Sequence, residues 1–250
     1  MKWPRQILGT STDALLSVLF PATCLLCRMP VESFRLGLVC GPCWSRVTPF
    51  NGQLCERCGY LFAASHPELE RALCGACRRN LYPFDTARSY GSFEDPLREI
   101  IHQFKYHSHW GLARPLARLL AQAYETHRRV LHSDLAVPVP LHRARRRERG
   151  FNQALELASL LGKFCCLPVS STTLIRHRPT RVQAGLSRRE RRLNLKGAFS
   201  LTDPLAIRDR VVLLVDDVFT TGATVSECAR ILKGAGASRV NVLTIARVVP

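Results

Sequence analysis

VVLLVDDVFTTGAT, residues 211–224, decides how the chain folds. Val211 to Val215 are five consecutive apolar residues rich in valine, the pattern of a strand covered on both faces in a parallel sheet. The strand is expected to end at Asp216 and Asp217, because two adjacent carboxylates do not belong in a dry core. Thr220, Thr221, Gly222, Ala223 and Thr224 then lead into a helix expected over 223–233. Open α/β sheets bind ligands beyond the carboxyl ends of their strands, so the acids and threonines fall where a site is expected.

Around this stretch, strand and helix patterns alternate from residue 83 to residue 250. Helices are expected at 96–106, where Ile100, Ile101 and Phe104 share a face, at 112–132 and at 152–161. Strands are expected at 135–139, 169–174 and 240–248. Two basic loops interrupt them: Arg143 to Arg149, directly after PVPLH (138–142), and a long one from Arg176 to Arg192 holding seven arginines. Strand–helix repetition with short turns predicts an α/β fold with a doubly wound parallel sheet.

Formal charge is +17 and the isoelectric point about 10.1, a balance suited to polyanionic ligands such as nucleic acid, acidic lipid or phosphorylated small molecules. The apolar run 14–20 is too short to span a bilayer and has no small-residue cleavage site. Residues 1–21 therefore read as an N-terminal amphipathic helix, with no transmembrane segment and a cytoplasmic location expected.

Eight of the 11 cysteines form four Cys-x-x-Cys knuckles: Cys24/Cys27, Cys40/Cys43, Cys55/Cys58 and Cys74/Cys77. Each knuckle turns two thiolates toward one ion, and two knuckles complete a closed Zn–S4 site, structural rather than catalytic. A disulfide framework is the alternative, and a reducing compartment disfavours it. Residues 22–82 are thus expected to be a double zinc ribbon, with consecutive or cross-braced pairing both open. Each Zn–S4 cluster carries a net charge of −2, so two of them lower the formal +17 only to +13, and the inference of an anionic partner stands. Trp44, Phe50, Tyr60 and Phe62 interleave with the knuckles as a small ribbon core or as base-stacking groups. Cys165, Cys166 and Cys228 lack a partner motif and read as buried core thiols.

A glycine and free N–H groups at a helix start make a cradle for phosphate, to which threonine hydroxyls add donors. Asp216 and Asp217 would repel that phosphate. They must face another part of the same ligand, either hydroxyl groups or a magnesium ion held through oxygen. A ribose 5-phosphate bearing a pyrophosphate has all three features. The bland alternatives are an Asp pair that only caps the helix and arginine runs that are only solvated faces.

The stretch 211–224 resembles the phosphoribosyl-pyrophosphate (PRPP) loop of type I phosphoribosyltransferases. The whole chain is similar to the ComF family, bacterial proteins with a double zinc ribbon and a phosphoribosyltransferase-like domain, associated with competence and DNA utilisation. The resemblance rests on the four knuckles, FKYHSHWGLA (104–113), PVPLH (138–142), RGFNQA (149–154), Gln183 with Leu186-Ser187 and Arg191-Arg192-Leu193-Asn194, and VDDVFTTGAT. It implies that Asp216 and Asp217, the catalytic candidates, contact ribose hydroxyls, and that Thr220, Thr221, Gly222, Ala223 and Thr224 hold the 5-phosphate. Arg143 and Arg145 would belong to the pyrophosphate loop, and Arg176 and Arg188 to a flexible loop closing over the site. The implied ligands are PRPP or a related phosphorylated ribose with magnesium, besides two zinc ions. Single-stranded DNA and a protein of the competence machinery are the implied partners.

Purine-salvage relatives usually carry a carboxylate where this chain has Thr220, so the resemblance implies PRPP binding more firmly than any one transfer reaction. A nucleotide-salvage transferase and a non-catalytic DNA-binding module with a regulatory PRPP site are the rival functions. His102, His107 and His109 read as helix-face residues, and Lys105 and Tyr106 belong to the FKYHSHWGLA motif without a role that the sequence supplies. Elemental analysis of metal-replete protein is expected to return two zinc equivalents per chain. One equivalent, or disulfides in protein taken from reduced cytosol, would overturn the double-ribbon reading.

Overall fold

The computed structural model describes residues 22–31, 38–63, 72–106, 109–181 and 185–249. The expected helix at 1–21, His107 and Gln183 lie outside the described residues, as does the side chain of Arg188.

Four parallel strands form the central sheet in the order β1 (Thr86–Ser92), β6 (Arg239–Arg247), β5 (Val211–Phe219), β2 (Leu135–Pro138). β5 does not stop at the acids. It runs on to Phe219, with Asp216 opposite Thr244 and Phe219 opposite Arg247 on β6. On its other side the pairing with β2 ends at Pro138 opposite Val215. Beyond Val215 the β2 side of β5 is therefore open, and the acids border that opening. β1, which the sequence patterns missed, is a seven-residue strand, TARSYGS. Its small and polar residues hide the usual apolar signature.

Side chains alternate between two cores. Leu213 and Val215 pack on one face with α3 (Leu97–Tyr106), α4 (Ala113–Thr126) and α7 (Gln153–Cys165). Val212 and Leu214 pack on the other with α9 (Ala223–Gly234). The expected helix at 112–132 breaks at His127, leaving a single further turn, α5 (Arg128–Leu131). The strand expected at 169–174 is a correction. Val169 makes one parallel bridge to Ala136 at the sheet edge, and β3 (Leu174–Arg176) instead pairs antiparallel with β4 (Phe199–Leu201) in a separate two-stranded sheet. Pro168 and the run Ser170-Ser171 prevent a continuous ladder.

Neither basic segment is a plain loop. Arg143–Arg149 is a helix, α6, whose start is capped by His142 Nδ1 accepting from the Ala144 N–H at 3.3 Å and whose end is Gly150 at φ 78°. In the second segment, α8 (Arg188–Leu195) begins with a capping box. The Glu190 N–H donates to Ser187 Oγ at 3.3 Å, and the Ser187 N–H donates to Glu190 Oε2 at 2.7 Å. Ser-x-x-Glu before a helix is legible in sequence, and the density of arginine obscured it. β3, β4 and α8 form a hood packed on α9 through the buried Leu195 and Phe199. Of the three remaining cysteines, Cys228 is buried, Cys165 is half-buried and Cys166 is exposed, because α7 ends there in a left-handed turn at φ 51°.

The knuckles pair consecutively: Cys24, Cys27, Cys40 and Cys43 converge in one cluster, and Cys55, Cys58, Cys74 and Cys77 in another. Two one-turn helices, α1 (Gly41–Ser45) and α2 (Gly75–Arg78), carry the second knuckle of each. The ribbons have no separate core. Val39, Trp44 and Val47 join the α3–α4 core, while the second cluster joins the α9 core beside Tyr82 and Phe84.

The ribbons also close the free edge of β1. The Phe50 N–H donates to the Tyr90 carbonyl at 2.8 Å, and the Ala87 N–H donates to the Arg57 carbonyl at 2.7 Å. This close approach needs glycine at two places. A Cβ on Gly91 would lie 2.6 Å from the Thr48 carbonyl oxygen, and one on Gly59 would lie 2.6 Å from that of Ala87. Gly91→Ala is expected to lift the first ribbon off the sheet edge and destabilise the fold by about 1–3 kcal/mol, read as a lower urea midpoint. An unchanged midpoint would mean that the ribbon is not seated on β1.

Candidate functional site

A cavity of about 380 Å3 opens beyond the carboxyl end of β2 and along the last residues of β5. β2 delivers Val139, Pro140 and Leu141 to its wall, and β5 delivers Asp216, Asp217 and Val218. Being adjacent on a strand, the two acids leave the backbone toward opposite faces. Asp217 turns to the α3 side, where Lys105 Nζ meets its Oδ1 at 2.7 Å in a largely buried ion pair. Asp216 turns to the hood side, and its Oδ1 accepts the Asp217 N–H at 2.9 Å. Burial first, and the neighbouring Asp217 charge second, push Asp216 up to about 7, against the lowering influence of Lys105 and Arg176.

Everything else charged in the cavity is cationic. Arg145 and Arg149 enter from α6, Arg176 and Arg181 from the hood's β3 and the turn after it, and Arg191 from α8. Arg176 is stacked over Phe199 with its Cζ 5.4 Å from the ring centroid and bonded to Thr180 Oγ1, yet its buried Nε has no partner among the described residues. Arg149 lies over Tyr106 at 4.7 Å and donates to its hydroxyl at 3.2 Å and to Gln153 Oε1 at 3.3 Å. Gln153 in turn donates to the Lys105 carbonyl at 3.4 Å, which ties the ends of α3, α6 and α7 together. Arg191 is anchored by Nε on the Leu186 carbonyl at 2.9 Å and reaches Thr220 Oγ1 at 3.3 Å. With five guanidiniums and one ammonium against two carboxylates, the cavity is built for an anion that also has something to offer a carboxylate.

Thr220 and Thr224 line the cavity, and Thr221, Gly222 and Ala223 form the turn beneath. Gly222 has φ 75°, and a Cβ there would lie 2.6 Å from the Phe219 ring and 2.9 Å from the Tyr82 ring. The turn can thus only be glycine, and α9 starts immediately after it, with the Ala223 N–H donating to Thr221 Oγ1 at 3.4 Å. Arg145 and Arg176 line the cavity as well. Arg143 does not: it sits exposed at the start of α6 with Arg146 and Arg147. Arg188 is the first residue of α8.

Sequence reasoning gave Lys105 no role and did not single out Arg149, Arg181 and Arg191 within the two basic segments, yet all four line the cavity. Lys105, Arg149 and Arg191 lie inside motifs quoted above, so the signal was there, but only the tertiary fold shows that α3 ends against β5. His102, by contrast, is exposed on α3, tilts against Tyr106 at 4.8 Å and does not line this cavity.

In the cysteine clusters the four Sγ atoms all lie within 4.8 Å of one another, with Cys27–Cys40 at 3.6 Å and Cys58–Cys74 at 3.5 Å. A disulfide needs about 2.05 Å, whereas four sulfurs about 2.3 Å from one tetrahedral zinc lie about 3.8 Å apart. The Cys40 N–H donates to Cys24 Sγ, and the Cys74 N–H donates to Cys55 Sγ, each at 3.4 Å, as suits thiolate acceptors. In the second cluster, hydrogen bonds from Cys58 and Cys77 hold Cys55 far below the usual thiol range, while the bond to Cys55 pushes Cys58 up to about 12. One sulfur takes the charge at the expense of the others, and a dication lets all four carry it. The clusters fit two structural zinc ions.

A parallel sheet with a hood, acids on the strand before a glycine turn, and two four-cysteine clusters define a phosphoribosyltransferase-type domain joined to a double zinc ribbon. Family models agree: a double zinc ribbon domain matches residues 15–78 and a phosphoribosyl transferase domain matches residues 129–248. The chain is 37% identical over 230 residues to the DNA utilization protein YhgH of Salmonella typhimurium, covering 91% of this chain and 97% of that one. It is 34% identical to competence protein F of Haemophilus influenzae, covering 91% and 98%. It is 30% identical to competence protein ComFC of Bacillus subtilis, covering 84% of each. The chain belongs to the ComF/YhgH family.

Because the folded-state value of Asp216 lies above its unfolded one, its contribution to stability is intact below about pH 4 and is lost as pH rises through about 7. Asp216→Asn is therefore expected to flatten the stability–pH profile over that window and to be at least as stable as the parent at pH 8, measured by urea unfolding at several pH values. A profile that keeps the parent's slope would place the raised acid elsewhere.

Proposed function

We propose that the cavity binds PRPP or a closely related phosphorylated ribose with magnesium, and that the protein serves DNA uptake or utilisation, as the names of its relatives suggest. The observation that carries the reading is the cavity's inventory: two carboxylates in the last four residues of β5, a glycine turn at a helix start, and six cations around them. The ribose hydroxyls would donate to Asp216 and Asp217, displacing Lys105 from Asp217 toward the ligand's phosphates. The 5-phosphate would sit on the Thr220–Thr224 turn, and Arg145, Arg149, Arg176, Arg181 and Arg191 would surround the pyrophosphate. Magnesium would ride on that pyrophosphate, where Asp216 and Asp217 are the carboxylates in reach, and would neutralise charge on the departing group. Arginines from the hood stabilise the same charge in a water-poor site.

Thr220, held by Arg191, is no base. Acceptor activation of the purine-salvage kind has no residue here, which favours ligand binding, or transfer to an acceptor that needs no deprotonation at that position. The single-stranded DNA reading draws on α6: Arg143, Arg146 and Arg147 continue outward from the cavity arginines as an exposed basic rail. Such a rail tracks a phosphodiester backbone. Tyr60 and Phe62, only half-buried, line a smaller cavity of about 310 Å3 beside the second cluster together with Arg78 and Arg79, and offer a separate place for bases.

Isothermal titration with PRPP and Mg2+ is expected to show binding that Asp216→Asn/Asp217→Asn weakens by about 1–3 kcal/mol or more. Parent-like binding by the double variant would refute the ribose contacts. Fluorescence anisotropy with single-stranded DNA is expected to show log affinity falling with log salt at roughly 0.7 per phosphate contact, and competition by PRPP with Mg2+. A flat salt response would remove DNA as a partner. Undiminished DNA binding with PRPP bound would move the DNA to the ribbon pocket.

A further inference from the structure

The second cysteine cluster is joined to the Gly222 turn through two arginines, Arg247 and Arg57. Arg247, at the end of β6, is 5% exposed. Its Nη1 donates to the Cys58 carbonyl at 2.6 Å, and its Nη2 lies 3.7 Å from Cys58 Sγ. Its Nε is buried without a partner among the described residues. The guanidinium is stacked on Phe219 with its Cζ 4.2 Å from the ring centroid. Phe219 is the ring that Gly222 cannot crowd, and it packs edge-on against Tyr82 and Phe84 at 5.9 Å each.

Arg57 lies inside the Cys55–Cys58 knuckle. It donates to the Tyr82 carbonyl at 2.6 Å, the Phe84 carbonyl at 3.2 Å and Asn80 Oδ1 at 2.8 Å, so the knuckle also holds the other wall of Gly222. The hood reaches the same strip of chain, where Arg192 Nη2 donates to the Leu81 carbonyl at 3.3 Å.

A zinc with four thiolates carries a net charge of −2, and a buried charge of that size needs compensation. Arg247 supplies it at hydrogen-bonding range of a ligand sulfur, the place where outer partners tune a metal site. Arg88, 7% exposed on the neighbouring strand β1, has a second buried Nε without a partner among the described residues, and adds its charge beside the same knuckle.

We propose that Arg247 is the counter-charge of the second zinc cluster and, with Arg57, couples that cluster through Phe219, Tyr82 and Phe84 to the Gly222 turn, so that zinc in the second ribbon and a phosphorylated ligand on the turn strengthen each other's binding. Linkage makes the effect reciprocal: a ligand on the turn must hold the zinc in, and loss of that zinc must loosen the ligand. The coupling half rests on the reading of the cavity as a phosphoribosyl site. The counter-charge half does not.

The test is zinc release from the full chain to a chromogenic chelator, with alkylation and peptide mass mapping to show which four thiols become free. In Arg247→Met, release from Cys55, Cys58, Cys74 and Cys77 is expected to accelerate about tenfold or more, with Arg247→Lys in between and release from Cys24, Cys27, Cys40 and Cys43 unchanged. Parent-like release from the second cluster in Arg247→Met would overturn the counter-charge. In the parent, PRPP with Mg2+ is expected to slow release from the second cluster only.

If titration calorimetry shows PRPP binding but the release rate ignores it, the coupling is wrong. If PRPP does not bind, the phosphoribosyl reading fails and the Arg247→Met comparison still decides the rest. Phe219→Leu keeps the charge and cuts the stack, so it serves if Arg247→Met does not fold. It is expected to release zinc as the parent does without ligand and to lose the protection by PRPP, and full protection would overturn the route through Phe219.

Discussion

A parallel sheet of four strands has two exposed edges, and the way this chain covers the β1 edge organises the rest. β1 pairs with β6 on one side only, leaving backbone groups that must find partners elsewhere. The residues before it are too short of apolar side chains to fold alone. Metal clusters fix their loops, and those loops dock on the β1 edge through the Phe50–Tyr90 and Arg57–Ala87 backbone bonds. Each partner supplies what the other lacks: the sheet gives the ribbons a core, and the ribbons give the sheet a closed edge. The two glycines at the closest approaches, Gly59 and Gly91, show how little space separates them.

The same docking positions the site. The strip from Leu81 to Phe84, between the last knuckle and β1, is held by Arg57 from the ribbon and touched by Arg192 from the hood, and its rings close on Phe219 below the Gly222 turn. The turn therefore has a rigid floor assembled from three parts of the chain. On the opposite face, α3 ends with Lys105 against Asp217, and the Arg149–Gln153 contacts hold that end in place. A site that must gather opposite charges close together needs such support, since each group left unpaired in a half-buried wall would be costly.

Asp216 illustrates the tension between function and stability. The strand that carries it continues past it, so it is held under the hood with its pKa raised to about 7 rather than being released to solvent. A residue placed for stability alone would not be an acid at that position. The surrounding cations outnumber the two carboxylates, and they come from four separate elements and one turn.

Much was legible in the sequence for identifiable reasons. Four Cys-x-x-Cys knuckles permit few outcomes, because sulfur–zinc geometry fixes spacing locally; a five-residue apolar run before Asp-Asp and a threonine–glycine turn likewise encode strand, turn and helix start within one short segment. β1 was invisible because its polar and small residues answer to its neighbours β6 and the ribbon, and the helices α6 and α8 were hidden by arginines whose partners lie far along the chain. The consecutive pairing of the knuckles, the extension of β5 past its acids, and the meeting of Lys105 with Asp217 over a separation of more than a hundred residues are long-range facts. Local chemistry determined which groups the protein would use; only the packing of distant segments decided which of them face one another, because hydrogen bonds and ion pairs across the sheet depend on how layers stack and not on the order of residues within any one of them.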